Sequence, residues 1–259
     1  MTAEIEYHDA MIKILEMIWG EGFMAPGGTE LVDRLVNGLE LENRQVLDIG
    51  SGLGGPDCHL AARHGPFVTG IDIEPQLISI AKKRAKARGL QERAHFRLVQ
   101  PGPLPFEDDT FDVVISAGAI TQITDKSGIF SEALRVLKPG GYLRSFDWTT
   151  SRPEPSADMR YFFEMEGLTY ALEQPETYAR LLETAGFENV EVTDDTPWYR
   201  TGVRQEYEQM KSELYPAMRE LLGEKDAAHF VEDWRSMVVV FENGELTQTL
   251  CRAQKSTAQ

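Results

Sequence analysis

Short apolar runs of five to seven residues alternate, through the first 150 positions, with stretches in which apolar residues recur every three or four places. The runs predict buried strands at 45–49, 67–72, 94–99, 111–116 and 141–147. The spaced pattern predicts helices at about 29–39, 75–88 and 127–137. Upstream, Ile5, Met11, Ile12, Leu15 and Ile18 share one helical face over 4–18, ahead of a glycine-broken segment at 20–28. Strand–helix alternation of this kind implies a parallel sheet covered on both faces, with a ligand at the carboxyl ends of the strands. Past 148 the pattern changes. A Ser-Arg-Pro-Glu-Pro-Ser loop at 151–156 precedes an aromatic-rich helical stretch at 159–170, then a helix at 175–185 and a strand at 188–193. Further helices over 197–236 carry Trp198, Tyr199, Tyr207, Tyr215 and Trp234, and a last strand falls at about 246–252. The expected division is an N-terminal lid helix and loop (1–28), a nucleotide-cofactor core (29–148), a substrate wall with sheet continuation (149–196), a helical lid (197–245), and a final strand and tail (246–259).

The chemistry concentrates at Val46-Leu-Asp-Ile-Gly-Ser-Gly-Leu-Gly-Gly55. A buried strand stops at Ile49, the backbone turns through Gly50, Gly52, Gly54 and Gly55, and a helix starts near Pro56. Such a turn lets backbone approach a ligand where no side chain would fit. Asp72 follows Gly50 by 22 residues, at the end of the second apolar run, where a carboxylate can accept both hydroxyls of a ribose. Gly50, Gly52 and Gly55 also satisfy the dinucleotide fingerprint, so an NAD(P)-dependent oxidoreductase is one reading. Three features oppose it. Asp48 lies inside the strand, where its carboxylate can anchor the loop or reach a cofactor ammonium, and a pyrophosphate gains nothing from it. An acidic turn at 103–110 feeds the fourth strand, and Leu134–Leu143 reads as a helix end, a Pro-Gly-Gly turn and a fifth strand. Together they resemble the class I S-adenosylmethionine (SAM) methyltransferases.

Charge and composition narrow the partners. Forty-two acidic against 26 basic residues give a net charge of −16, a field that repels a phosphate backbone and suits a cationic or neutral small substrate. Nucleic acid is therefore not expected. The basic cluster Lys82–Arg88 reads as a solvated face near a helix end that Gly89 closes. No run approaches the ~18 apolar residues of a membrane span, and the acidic start is opposite in charge to a leader, so a cytoplasmic protein without a membrane partner is expected. Cys58 and Cys251 have no metal spacing and read as reduced thiols. No metal is expected, and His8, His59, His64, His95 and His229 read as non-catalytic.

Tyr7, then Trp19-Gly-Glu-Gly-Phe-Met-Ala-Pro-Gly-Gly-Thr-Glu30, then the glycine loop resemble the phosphoethanolamine N-methyltransferases and their small-molecule relatives over about residues 5–200. The resemblance implies a Rossmann-like α/β fold: a seven-stranded, mostly parallel sheet with helices on both faces and a helical lid. It implies SAM as cofactor, held by Asp48, Gly50, Ser51, Gly52, Gly54, Asp72, Ile73, Gln100, Pro101 and Ala117, and it puts Tyr7 at the family's catalytic tyrosine. Departures are informative. Gly118 stands where the family has an acidic residue, and Gln122 where it has a catalytic histidine. Gln100 replaces the aspartate that accepts from the adenine amine, although its carbonyl can accept the same bond. The phosphate-holding arginine, tyrosines and lysine are not apparent around 162–168 or 235–240, so a non-phosphorylated acceptor follows. Tyr7 is then a positioner or weak base. Gln122 is a neutral orienter that cannot take a proton at neutral pH.

Phe23 and Trp148 are the expected aromatic walls of the substrate pocket, joined by Tyr7, Trp19 and part of Tyr161–Phe163, each worth ~0.5–2 kcal/mol to a cation. Asp147 is placed to bind a substrate amine. The expected function is methyl transfer from SAM to a small non-phosphorylated molecule, on nitrogen first, with sulfur or oxygen as alternatives. A catalytically inactive SAM-binding protein would explain Gln100, Gly118 and Gln122 together. The oligomeric state is not encoded in any of these features.

Overall fold

The computed structural model describes residues 9–168 and 170–257. Five parallel strands, β1 (Gln45–Ile49), β2 (Phe67–Asp72), β3 (Ala94–Leu98), β4 (Phe111–Ala117) and β5 (Leu137–Thr150), are joined by β6 (Phe187–Asp194) and β7 (Leu246–Lys255). The strand order is β3-β2-β1-β4-β5-β7-β6, with β7 antiparallel to both neighbours. The order reverses at β1, between β2 and β4, which is where open α/β sheets place their ligand crevice. The strands match the sequence reading closely except β5. It extends back through the Pro-Gly-Gly turn to Leu137, which pairs with Phe111 of β4, and forward to Thr150, because β7 pairs with it from Tyr142 to Thr150.

Both faces of β1 are buried, and period-2 alternation divides its side chains between two cores. Val46 packs with Val68, Ile115 and Phe146 under α2 (Gly28–Leu35), α3 (Gly55–His64) and α4 (Pro75–Ala87). Leu47 and Ile49 join Ile71, Val114 and Leu143 under α5 (Lys126–Val136) and α7 (Pro175–Ala185). Helix α2 stops four residues before its expected end, since the chain turns through Asn37 and reaches Gly38 at φ +83°.

The third core is different in kind. It gathers α1 (Asp9–Trp19), α6 (Ala157–Glu166), α8 (Thr196–Met210), α9 (Tyr215–Leu222) and α10 (Glu224–Glu242) around Trp148 and Leu246, at the carboxyl end of β5. Aromatic rings dominate it: Trp148 meets Phe162, Tyr170 and Phe241, and Trp19 meets Trp234. Of this layer, α1 and the segment that follows it stand beside the glycine loop. The Gly55 amide donates to Gly22 O at 3.0 Å, and Glu16 on α1 accepts from the Gly22 amide at 2.7 Å. No helix among the described residues is long and apolar enough to cross a membrane.

Candidate active site

The glycine loop is held from below by its neighbouring strand. Gly50 N and Ser51 N both donate to Ile71 O at 2.9 Å, and Asp72 Oδ2 accepts from Gly52 N at 2.9 Å while Oδ1 accepts from Glu74 N at 3.0 Å. Gly50 and Gly54 sit at φ +83° and +77°. A Cβ on Gly50 would lie 2.1 Å from the Ala119 methyl, and one on Gly54 2.7 Å from Phe96. These two positions accept glycine alone, on conformation and on space. The guanidinium of Arg84 donates to Leu53 O in the loop and to Glu16. Arg84 therefore corrects the reading of 82–88 as a solvated face: it is largely buried and braces the loop against α1.

Beyond the loop the carboxyl ends of β2 and β3 expose apolar surface. Ile73 and Leu98 are 51% and 41% accessible, unusual for large aliphatic side chains in this molecule. Ile73 follows Asp72 in the chain, and Leu98 is the register partner of Asp72 on β3. Gln100 and Pro101 follow Leu98 and line with it a shallow cavity of about 410 Å³. A half-buried carboxylate between two bare aliphatic surfaces fits the ribose and adenine of a nucleoside. Ser51 Oγ, buried and without a partner, is a further unfilled polar position in the loop. Ala117 closes β4 on the other side, next to Gly118, whose amide donates to Phe146 O at 2.7 Å.

Beneath the loop is a feature that the sequence pattern does not reveal. Asp48 and Asp57 are both fully buried, and none of their four oxygens has a conventional donor. The two carboxyls influence each other, and Asp57, the more strongly raised, keeps its proton beside Asp48. Burial pushes Asp48 up to about 7, and burial with the Asp48 charge pushes Asp57 well above the carboxylate range. Asp48 thus does not anchor the loop, which was one of its two expected roles; Asp72 and the Ile71 carbonyl do.

At the end of β5, Asp147 is fully buried. Its Oδ1 accepts from Thr121 N at 3.0 Å and Thr121 Oγ1 at 3.3 Å, and its Oδ2 accepts from Tyr178 OH at 2.6 Å. Burial raises it to about 6. The 3₁₀ helix Ala119–Gln122 that follows β4 is pinned by this carboxylate. Thr121 O in turn accepts from Ala171 N at 3.0 Å, which brings the segment after α6 onto the same turn.

That segment leads to three carboxyl groups within the aromatic helical layer. Glu206 accepts from Trp19 Nε1 (2.8 Å), Trp234 Nε1 (3.1 Å) and Tyr199 OH (3.2 Å). Glu166 accepts from Tyr170 OH at 2.9 Å and faces Asp233, which is 5% exposed with its Oδ1 unpartnered. Burial, then the Glu166 charge, holds Asp233 well above the usual range, so Asp233 keeps its proton. Burial likewise raises Glu206. Among the described residues no lysine or arginine bonds to any of the three.

A family model described as "Methyltransferase domain" matches residues 40–193, more than half of the chain and all of β1–β5. The chain belongs to this methyltransferase family. Its fold is the class I, Rossmann-like methyltransferase fold: phosphoethanolamine N-methyltransferase 2 of Haemonchus contortus, solved with phosphomonomethylethanolamine and S-adenosylhomocysteine, superposes with a TM-score of 0.89 at 24% identity, over 98% of this chain and 59% of that one. Among curated proteins, phosphoethanolamine N-methyltransferase 3 of Arabidopsis thaliana is 30% identical over 93% of this chain and 48% of its own length. The Plasmodium falciparum phosphoethanolamine N-methyltransferase is 27% identical over 88% and 85%. The chain spans about half the length of the plant relatives it matches.

Within this chain the expected substrate residues fare unevenly. Tyr7 and His8 lie outside the described residues. Gln122 is exposed at the end of the 3₁₀ helix. Phe23 is a correction: it is buried in the core under α2 and α3 and offers no open ring. Asp147 is another, since both its oxygens are occupied and sealed from solvent; it positions Thr121 and does not bind an amine. Trp148 is 8% exposed, walled by three rings, with its indole Nε1 unpartnered. Glu206 and Asp233 do carry a signal in the sequence. Each is a polar residue in the buried stripe of its helix, Tyr199-Val203-Glu206-Met210 and Ala227-Asp233-Trp234-Met237.

Proposed function

We propose that this methyltransferase transfers the methyl group of SAM to the nitrogen of a small, non-phosphorylated, cationic amine. The observation that carries the proposal is the uncompensated acidic interior of the helical layer: Glu166, Asp233 and Glu206 among aromatic rings, with no basic side chain among the described residues bonded to them. An anionic phosphate would meet only repulsion there. An ammonium group would supply the countercharge that these carboxylates lack, and the half-buried ring of Tyr170 would add cation–π attraction of ~0.5–2 kcal/mol.

The glycine loop, Asp72, Ile73 and the Gln100–Pro101 turn would hold the nucleoside, with Asp72 accepting ribose hydroxyls on the lone pairs left by its two backbone bonds. Bound SAM supplies an already activated sulfonium methyl, so the protein's share is alignment and exclusion of water. The 3₁₀ helix bearing Gln122, fixed by Asp147, and the 166–171 segment bonded to it would set the acceptor's position. An ammonium must lose a proton before its nitrogen can attack. Glu166, whose neighbour Asp233 already holds a proton, is the carboxylate we assign to take it. The N-terminal helix and residues 197–245 would act as the lid.

The test is methyl transfer from SAM across a panel of amines, thiols, phenols and phosphoethanolamine, followed by mass spectrometry, with S-adenosylhomocysteine binding measured by calorimetry. Turnover confined to amines without phosphate is the expected result. Preference for phosphoethanolamine, a thiol or a phenol would overturn the acceptor assignment, and cofactor binding without turnover would make the chain a binding protein.

A further inference from the structure

We propose that Asp33, His59 and His64 form a site for one divalent transition-metal ion, zinc by preference, that clasps α2 to α3. Asp33 lies near the end of α2, His59 at the middle of α3, and His64 is the last residue of α3. Both imidazole Nε2 atoms converge on a single oxygen, Asp33 Oδ1, at 2.8 and 3.0 Å. One ligand atom from each residue lies within 4.8 Å of the other two. Zinc bonds of 2.0–2.1 Å to nitrogen and oxygen space neighbouring ligand atoms by about 3.3 Å in a tetrahedron. The two imidazole nitrogens would need to draw back from Asp33 Oδ1 by only about 0.3–0.5 Å to reach that spacing.

The donor set selects the ion. Two imidazole nitrogens and one carboxylate suit zinc, cobalt, nickel or copper(II). Magnesium and calcium demand oxygen ligands and would find one residue. The side chains are 17% (His59), 28% (His64) and 35% (Asp33) accessible, so an ion and its remaining water ligands can enter from solvent. His64 also sits at the carboxyl end of α3, the negative pole of the helix. One group opposes the ion: Arg63 Nε approaches Asp33 Oδ2 at 3.4 Å. It occupies the other oxygen and leaves Oδ1 to the histidines.

The site is separate from the methyl-transfer machinery. His59 and His64 lie four and nine positions beyond Gly55 on α3, about 6 and 14 Å of helix away from the glycine loop. The ion would act as a clasp between two helices that cover the same face of the sheet, and would take no part in chemistry.

The experiment uses the full chain stripped with a chelator and titrated with Zn²⁺ by calorimetry and Co²⁺ by visible absorption. One equivalent of each should bind, with a cobalt d–d band of low-symmetry coordination and a raised melting temperature. Asp33→Asn and His64→Gln should each weaken binding by more than about 100-fold, beyond the 10–100-fold that changes outside the ligand shell cost, with S-adenosylhomocysteine affinity unchanged. Arg63→Ala, a change at an exposed side chain, should tighten binding by removing the competing cation. Failure of the wild-type protein to bind one equivalent would overturn the proposal. So would equal affinity in the Asp33 and His64 variants, or an Arg63→Ala protein that binds no more tightly.

Discussion

Replacing Asp48 by asparagine should make the protein more stable at alkaline pH and a weaker cofactor binder. Asp48 is sealed under the glycine loop with only Asp57 for company, and burial raises it to about 7. A carboxyl whose folded value lies above its unfolded value of 3.8 contributes stability that is full below pH 4 and lost as pH rises through 7. The shift corresponds to an upper figure of roughly 4 kcal/mol at pH 8. Asparagine keeps the shape, offers Asp57 a carbonyl acceptor and cannot ionise. Recovery of even half that figure would raise the melting temperature by about 4–8 °C for a chain of this size. The assay is thermal unfolding of both proteins at pH 5 and pH 8, with S-adenosylhomocysteine titrated at pH 8. The gain should appear at pH 8 and shrink or reverse at pH 5, while affinity falls if Asp48 meets the cofactor ammonium. An asparagine variant destabilised equally at both pH values would refute the reasoning, because it would mean Asp48 is ionised and satisfied in the folded protein.

Three further outcomes are expected. Gly50→Ala should abolish S-adenosylhomocysteine binding and lower stability by about 1–3 kcal/mol, from overpacking against Ala119 and a left-handed backbone; calorimetry and thermal unfolding check both. Tyr178→Phe removes the 2.6 Å bond to Asp147 and should cost about 1.5–3 kcal/mol of stability, seen in denaturant unfolding. Because Asp147 holds Thr121, the same variant should lose kcat with little change in cofactor affinity. Asp233→Asn should raise KM for an amine acceptor more than tenfold and leave S-adenosylhomocysteine affinity unchanged, as read from initial rates and calorimetry.

Most of the core is legible in local sequence pattern. Val46–Ile49 and Gly50–Gly55 dictate their conformation within ten residues, since a strand buried on both faces and a run of left-handed glycines depend on little beyond themselves. Asp72 is legible for the same reason, by spacing from the loop. Side chains whose roles depend on distant partners are not. Asp147 reads as a free carboxylate at a strand end until Tyr178 and Thr121, 31 and 26 residues away, occupy it. Phe23 sits in a glycine-rich segment that looks like pocket, yet α2 and α3 close over its ring. Arg84 belongs to a basic run, and only the meeting of α1, α4 and the loop shows that one of those cations is buried. Glu206 and Asp233 are marked only by their place in the apolar stripes of their helices, and Asp57 and Glu166 escape a reading by pattern because a lone acidic residue in a helix ordinarily faces water. Their enclosure by distant elements is a tertiary fact.

The most direct measurement compares two acceptors that differ only in charge, an alkylamine and its alcohol isostere, as substrates for SAM-dependent methylation by the wild-type protein and by Asp233→Asn. Methylation of the amine alone, with its KM raised by the substitution and cofactor affinity intact, is the expected result. Comparable turnover of the alcohol, or an amine KM indifferent to Asp233, would contradict an acidic pocket built for a cation.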